Sequence, residues 1–578
     1  MGKYTDSKTV QILIAILKGH GIRKIVISPG TTNFMFVVSV QNDKWFEIKS
    51  SADERSAAYI ACGWAAETHE PVVISCTGAT ASRNYLPALT EAYYRKLPVL
   101  ALTSINDSAM PGHNIPQVID RSRLPIDAAK ISVNIADVHD DASARKCIVL
   151  ANQAILELTR HGGGPAHINL MTKMSGEFNT DTLPTPRIIR RYFGFDNLPD
   201  INEYNRIAVY VGSHPIFSRE ETEAIEVFCQ KYNAIVLCDH TSNYKGEYKF
   251  LSAYVASQEH LDRKKYSFDL VIDIGEVSGD YYQFKTGNSW RVSEDGEVRD
   301  RFGNIKNVFE MREIDFFNYY NNCENTSLHK NMLYDLRKID LEIRNKTGEL
   351  PFSNIWIAQQ ISTKLPQGSV IHFAILNSLR AWNFFDIPDD VYAYSNVGGF
   401  GIDGDISTLV GASFTDQEKL YIGIAGDLAF FYDMNSIGNR HVGKNLRIIV
   451  INNGKGTEFR NYSHPAAALG DQADDYVAAG GHYGNKSGML LKHYAEDLGF
   501  EYLSARNKGE FEHNASKLLT SSMKDKSILL EVFTDSVDES NALYQLRHTI
   551  PEAKAKALVK STLGEKNIQK LKRTFRRI

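Results

Sequence analysis

The segment GIAGDLAFFYDMNSIGNRHVGKNLRIIVINNGKG holds the densest chemistry in the 578-residue chain. One apolar run ends in Ala425 and Gly426 and is followed at once by Asp427. A second ends in Asn452-Asn453, so that Asn453 stands 26 positions after Asp427. Adjacent parallel strands set their carboxyl ends side by side, where open sheets bind ligands. Asp427 and Asn453 can then offer a carboxylate and an amide oxygen to one hard cation. Magnesium takes such oxygen ligands and shares its octahedron with diphosphate oxygens, and the glycines let the backbone approach phosphates closely. Taken alone, the same residues also read as ordinary turn formers at strand ends. Glu54, in the run DER, is equally open: by itself it reads as a solvated carboxylate at a helix start.

Positioning such groups takes parallel strands, and the chain offers them. KIVISPG, PVVISCTG, LPVLALTS and GGPAHINL are short apolar runs bounded by turn formers, with helical patterns such as DERSAAYIACGWAAETH between them. Strands alternating with helices predict a parallel sheet. The pattern recurs in RIAVYVG, AIVLCDH and FDLVIDIG around the helix REETEAIEVFCQKYN. It recurs again in SVIHFA, VYAYSN, KLYIGIAGD, LRIIVINN and SILLEVF. The expected fold class is α/β, with three doubly wound parallel-sheet domains at residues 1–185, 186–345 and 346–553. The proline-punctuated stretch DTLPTPRIIRRYFGFDNLPD reads as a linker. A basic tail, 554–578, carries nine Lys and Arg against Glu565, and is expected as a solvated helix.

Hydrophobic residues make up 43% and charged residues 23%, ordinary globular usage that excludes wholesale disorder. A net charge of −4 gives no electrostatic case for nucleic acid. No apolar run approaches a membrane span, and the N-terminal stretch reads as an amphipathic helix rather than a signal peptide. The six cysteines form no CxxC pair and several sit in apolar runs, so free thiols in a reducing cytoplasm are expected. His240 has no companion at metal spacing.

GDLAFFYDMN followed by INNGKG resembles the diphosphate-binding half of thiamine diphosphate enzymes. SNVGGFGIDGDISTLVGASF resembles the segment beneath the thiazolium, and KSSADERSAAYIACGWAAETHEPVVISCTGATASRNY resembles the pyrimidine-binding domain. The resemblance reaches residue 550 and is strongest to the menaquinone-pathway branch, with acetolactate synthase more distant. It implies thiamine diphosphate and Mg2+ as cofactors, with Asp427, Asn453 and the main-chain carbonyl of Lys455 as metal ligands. It makes Glu54 the activating glutamate, whose hydrogen bond to the aminopyrimidine promotes loss of the thiazolium proton. Pro29, Gly30, Thr77, Gly78, Asn84, Asn377, Ser378, Gly401, Ile402, Gly426, Leu428, Ala429 and Gly456 fall where the family lines its cofactor pocket. A homodimer or homotetramer is implied, with the active site between subunits. The central domain, which binds flavin in acetolactate synthase, here lacks a GxGxxG loop, so no FAD is expected.

Three positions depart from the menaquinone branch. Thr32, Val397 and Trp382 each stand where its pattern has an arginine. Each lost arginine removes a charge-assisted carboxylate clamp worth about 1.5–3 kcal/mol. Arg380 stands next to one of them, while His113, Asn114, Gln117, Arg460 and Lys486 are further substrate candidates, as is the polar lid region holding His464 and His482. The expectation is therefore a transferase or lyase that decarboxylates a 2-oxo acid and passes the acyl group to an acceptor other than the menaquinone one. Alternatives are a decarboxylase or C–C hydrolase without carboligation, and a catalytically degenerate regulatory subunit.

Overall fold

The computed structural model describes residues 2–551 apart from Asn106, Ser108, Thr172, 482–486 and Lys524. Lys486, His482 and the basic tail lie outside the described residues. The chain divides into two compact units, Met1–Asp196 with Ser289–Met311, and Asn197–Asn288 with Arg312 onward.

In the first unit, strands β1 (Lys24–Ile27), β2 (Glu47–Ser50), β3 (Val72–Cys76), β4 (Val99–Ile105), β5 (Ser132–Ala136) and β6 (Ala166–Met171) form one sheet in the order β2-β1-β3-β4-β6-β5. All five pairings are parallel. β3 and β4 are buried along their whole length, which is why they read as unbroken apolar runs. The helix Lys8–Gly19 packs Val10, Leu13, Ile14 and Leu17 into one core cluster. On another cluster lies Glu54–Thr68, whose face is Ala57, Ala58, Ala61 and Cys62. Asp53 starts that helix by accepting the Arg55 backbone N–H.

The central segment carries β7 (Arg190–Phe193), β8 (Ile207–Val211), β9 (Ile235–Cys238), β10 (Lys249–Leu251), β11 (Phe268–Ile274), β12 (Thr286–Ser293) and β13 (Ile305–Glu310). In the second unit β10-β9-β8-β11 run in parallel order. β13 pairs in parallel with β12 and with β7. The stretch expected as a linker thus contains a strand. β7 is half-exposed and charged, so it carries no apolar run to announce it.

The last sheet orders β14 (Val370–Phe373), β15 (Tyr392–Ser395), β16 (Tyr421–Gly426), β17 (Leu446–Asn452), β18 (Glu501–Ala505) and β19 (Ile528–Phe533) as β15-β14-β16-β17-β19-β18. Every pairing is again parallel. Within it Gly426 registers with Ile451, so Asp427 leaves β16 beside Asn452-Asn453 at the end of β17. Three sets of parallel strands with intervening helices agree with the expected fold class.

Candidate active site

The aspartate and asparagine singled out in the sequence meet. Asp427 opens the short helix Asp427–Tyr432 and is only 6% exposed. Its Oδ2 accepts the Gly454 N–H at 2.9 Å, across the two strand ends. Gly454 turns there with φ +79°, a conformation that costs a side-chain-bearing residue energy. Burial is the main cause that pushes the Asp427 carboxyl up to about 7; N–H groups of Leu428 and Gly454 oppose it, and the Glu531 charge adds to it. The Asn453 amide donates to Thr457 Oγ1 at 3.3 Å, while its Oδ1 is buried without a hydrogen-bond partner among the described residues. A buried carboxylate with no cation bonded to it, next to an orphaned amide oxygen, is a donor set that fits a hard divalent cation. The Lys455 ammonium is drawn away to Asp474, so this residue can turn only its main chain toward Asp427.

These groups line a cavity of about 250 Å³ that also includes Gly426, Leu428, Ala429, Gly456, Asn377, Ser378 and Ile402. A Cβ on Gly456 would come within 3.2 Å of the Phe459 ring, so its backbone is closely packed. Gly401 is held against Asp403, whose Oδ1 would lie 2.4 Å from an added Cβ. The Asn377 amide donates to Thr457 Oγ1 at 3.3 Å.

A second cavity of about 310 Å³ adjoins the first, sharing Asn354, Asn377, Glu458 and Glu539 as wall residues. Its cations are Arg380 and Arg547. Arg380 donates to Glu458 at 2.6 Å and lies 3.7 Å over the Tyr281 ring, with its Nε buried and unbonded. Arg547 pairs with Glu259 at 3.2 Å. Glu539 is 8% exposed; it accepts the Asn354 N–H through both oxygens, at 3.0 and 3.1 Å, and the Thr534 hydroxyl at 2.8 Å. Sequence reasoning missed Asn354, Glu539 and Arg547. Ser353 caps the helix that Asn354 opens, and Glu539 and Arg547 lie on the helix Ser536–Arg547, but nothing in their spacing ties them to Asp427.

In the first unit Glu54 sits half-exposed in the first turn of its helix and accepts a hydrogen bond from Asn84 at 3.3 Å. Pro29 and Gly30 follow β1, and a Cβ on Gly30 would meet the Thr77 side chain at 2.6 Å. Thr77 Oγ1 lies 2.6 Å from Thr32 Oγ1, whose hydroxyl also reaches the Ser104 carbonyl at 2.6 Å. Gly78 is packed under Ile105 and Ser104. His113, Asn114 and Gln117 lie exposed on one loop, with Asn114 and Gln117 at positive φ. Arg460 is bonded to Asp471 and Asp474 at 3.1 and 3.0 Å.

Two of the substrate candidates are core residues. Trp382 is fully buried, its ring 5.4 Å from that of Phe373, and Val397 is 4% exposed. Neither lines either cavity. His240, 4% exposed, turns Nε2 to the carbonyls of Trp382 and Phe385 at 3.0 and 2.9 Å, and burial pushes its pKa down to about 4.

Residues 7–124 match the family model described as thiamine pyrophosphate enzyme, N-terminal TPP binding domain. The chain is 29% identical over 566 residues to 2-succinyl-5-enolpyruvyl-6-hydroxy-3-cyclohexene-1-carboxylate synthase from Phocaeicola vulgatus, covering 94% of this chain and 99% of the relative. It is 27% identical to the synthase of the same name from Bacteroides thetaiotaomicron, covering 95% of this chain and 100% of the relative. Among solved structures, a thiamine diphosphate-dependent 4-hydroxybenzoylformate decarboxylase from Rhodococcus jostii RHA1 aligns with a TM-score of 0.42 at 15% identity, covering 91% of this chain and 99% of that one. The shared name of the curated relatives overturns the expectation that the acceptor lies outside the menaquinone pathway. That expectation counted missing arginines at three positions as missing clamps. Two of the three are packed in cores, while Arg380 and Arg547, the arginines of the second cavity, stand at other positions. These matches support a thiamine diphosphate-dependent enzyme, similar over nearly its whole length to 2-succinyl-5-enolpyruvyl-6-hydroxy-3-cyclohexene-1-carboxylate synthases.

Proposed function

We propose that this protein catalyses the reaction for which those relatives are named: it decarboxylates 2-oxoglutarate and adds the resulting succinyl group to isochorismate. The supporting observation is that a cation-seeking pair, Asp427 with Asn453, lines a cavity continuous in its wall residues with one that holds Arg380 and Arg547. Asp427, the Asn453 amide oxygen and the Lys455 carbonyl hold Mg2+. Gly426 and Gly456 admit the diphosphate, and Ile402 and Ala429 give the wall its apolar part. The bound thiamine diphosphate supplies an electron sink for the carbanion left by decarboxylation.

The protein's own groups do the rest. Glu54 is the acid–base residue that holds a proton at the cofactor's pyrimidine, and its hydrogen bond from Asn84 fixes the carboxylate's direction. Arg380 and Arg547 bind substrate carboxylates in fork geometry. Arg380 reaches the cavity already oriented, because Glu458 and the Tyr281 ring fix its plane, so less rotamer freedom is lost on binding. The segments 1–185, 186–345 and 346–553 serve as pyrimidine-binding, central and diphosphate-binding domains. The working form is a homo-oligomer, a dimer or tetramer, in a reducing cytoplasm, in keeping with six free cysteines of which five are buried.

The test is direct. Purified protein with thiamine diphosphate, magnesium, 2-oxoglutarate and isochorismate is expected to release CO₂ and form the succinyl-cyclohexene carboxylate, seen by mass spectrometry. Release of the free aldehyde alone would replace this reading with a decarboxylase. Absence of any 2-oxoglutarate consumption would overturn it.

A further inference from the structure

The most unusual charge in the first unit belongs to a residue that no motif marks. Arg121 is 2% exposed, and its Nε, Nη1 and Nη2 are all buried without a hydrogen-bond partner among the described residues. Among the described residues no acid pairs with it. The neighbouring Asp120 carboxylate turns back onto the Ser122 N–H at 2.8 Å, and Asp120 contributes only its main-chain carbonyl to Arg83. The buried Cys76 thiol favours the charge slightly, and Arg83, of the same sign, opposes it. Burial pushes the Arg121 pKa down only to about 10, so the guanidinium stays charged at neutral pH.

Its position is that of a ligand site. A Cβ on Gly78 would lie 3.6 Å from the Arg121 Cζ and 3.2 Å from the Ser104 carbonyl, so the guanidinium packs where β3 and β4 end. Carboxyl ends of parallel strands are where open sheets bind. Ser104 also has a buried Oγ without a partner, a ready hydroxyl donor. His167, in the same interior, is no competitor for an anion, since its ring nitrogens meet Thr103 and Ser132 at 2.8 and 2.7 Å. An unpaired buried charge is strongly destabilising, and five unbonded N–H groups compound the cost. Such an arrangement is stable once an anion completes it. The planar fork of a guanidinium matches a carboxylate. The stretch before Arg121 is exposed from Gly112 to Gln117 and closed by local turns, His113 N–H to Met110 and Val118 N–H to Ile115, so it can yield without disturbing the sheet.

We infer that Arg121 is a carboxylate-binding residue of the first unit, holding a carboxylate group of the substrate at the ends of β3 and β4. This rests on the proposed reaction for the identity of the carboxylate, though not for the anion site itself. The test uses the full-length holoenzyme, Arg121→Met and Arg121→Lys, with succinate as probe and chloride and phosphate at matched ionic strength as controls. Succinate is expected to raise the melting temperature of the wild type and not that of Arg121→Met, with Arg121→Lys between them. Without succinate, Arg121→Met is expected to be at least as stable as the wild type, because an unpaired charge has been removed. In steady-state assays Arg121→Met raises KM for a carboxylate substrate roughly 10- to 100-fold, with kcat changed far less.

A wild-type response to succinate in Arg121→Met, or a marked loss of stability in it without ligand, would overturn the inference, for Arg121 would then be a structural residue. Equal protection by chloride or phosphate would overturn the carboxylate assignment. If the wild type makes no product from 2-oxoglutarate and isochorismate, yet succinate protection depends on Arg121, the reaction assignment falls and the anion site stands.

Discussion

The two units hold opposite charge deficits. In the second, the carboxyl of Asp427 is buried at strand ends, held by backbone N–H groups and with no cation bonded to it among the described residues. In the first, the guanidinium of Arg121 is buried at strand ends without a hydrogen-bond partner among the described residues. Each breaks the rule that buried charges are paired, and each does so where a parallel sheet presents its carboxyl edge. Other buried charges obey the rule: Glu310 meets Arg160 and His161, and Asp43 meets Lys3, Lys18 and Tyr4. On the reading proposed above, the difference separates charges that hold the fold from charges that await a ligand, a cation in one unit and an anion in the other.

The sharpest way to break the comparison is to remove the waiting carboxylate. Asp427→Ala deletes the carboxylate of the proposed metal-binding set and is expected to weaken magnesium-dependent thiamine diphosphate binding by a thousandfold or more, about 4 kcal/mol. Calorimetry showing unchanged affinity would remove Asp427 from the site.

Glu54 supplies the contrast within the first unit, since it is half-exposed and satisfied by Asn84. Its proposed work is proton transfer rather than charge completion. Glu54→Gln should therefore leave cofactor affinity intact while turnover falls by roughly 10²–10⁴, the usual worth of a general acid–base group. Exchange of the thiazolium proton, followed by NMR, separates this from a binding defect; exchange at the wild-type rate would refute the role.

A smaller effect is expected at Arg380, whose charge is already shared with Glu458 at 2.6 Å. Arg380→Met should raise KM for 2-oxoglutarate by roughly tenfold, the low end for a charge-assisted bond. An unchanged KM would show that Glu458 keeps this guanidinium from the substrate.

Much of this was legible in the residues and some was not. The strands β16 and β17 are unbroken apolar runs, so their ends, and hence Asp427 and Asn453, followed from one-dimensional pattern alone. β2, β5 and β7 were missed because their faces are mixed and half-exposed, and such strands carry no run to read. Arg121 shares no spacing with Gly78 or Ser104; only the parallel crossover brings them together. The same blindness misjudged Trp382. A position in a motif says which residue aligns with an arginine, while burial says whether the side chain there faces the substrate at all.

A further effect, read in stability rather than in turnover, concerns a buried acid whose neighbours are hydrogen-bond donors rather than a missing ligand. Glu539 is buried in the wall shared by the two cavities, and burial pushes its carboxyl up to about 7 from an ordinary 4.5, against hydrogen bonds from Asn354 and Thr534 that pull it down. In the unfolded chain the group ionises near its ordinary value, so folding takes up a proton between pH 4.5 and 7. Its contribution to stability is fully present below the unfolded pKa and is lost as pH rises through the folded one. Glu539→Gln keeps an oxygen for the Asn354 N–H and removes the titration. Melting temperatures of cofactor-free protein should therefore coincide for wild type and variant near about pH 4 and diverge above it, with the variant the more stable at about pH 8. Asp405, also pushed to about 7 by burial, continues to titrate in both proteins, so the variant's pH profile flattens without becoming level. Parallel profiles across the whole range would mean that Glu539 ionises normally in the folded protein. Its carboxylate would then join the two deficits as a third charge in need of a partner, rather than standing as a neutral acid in the cavity wall.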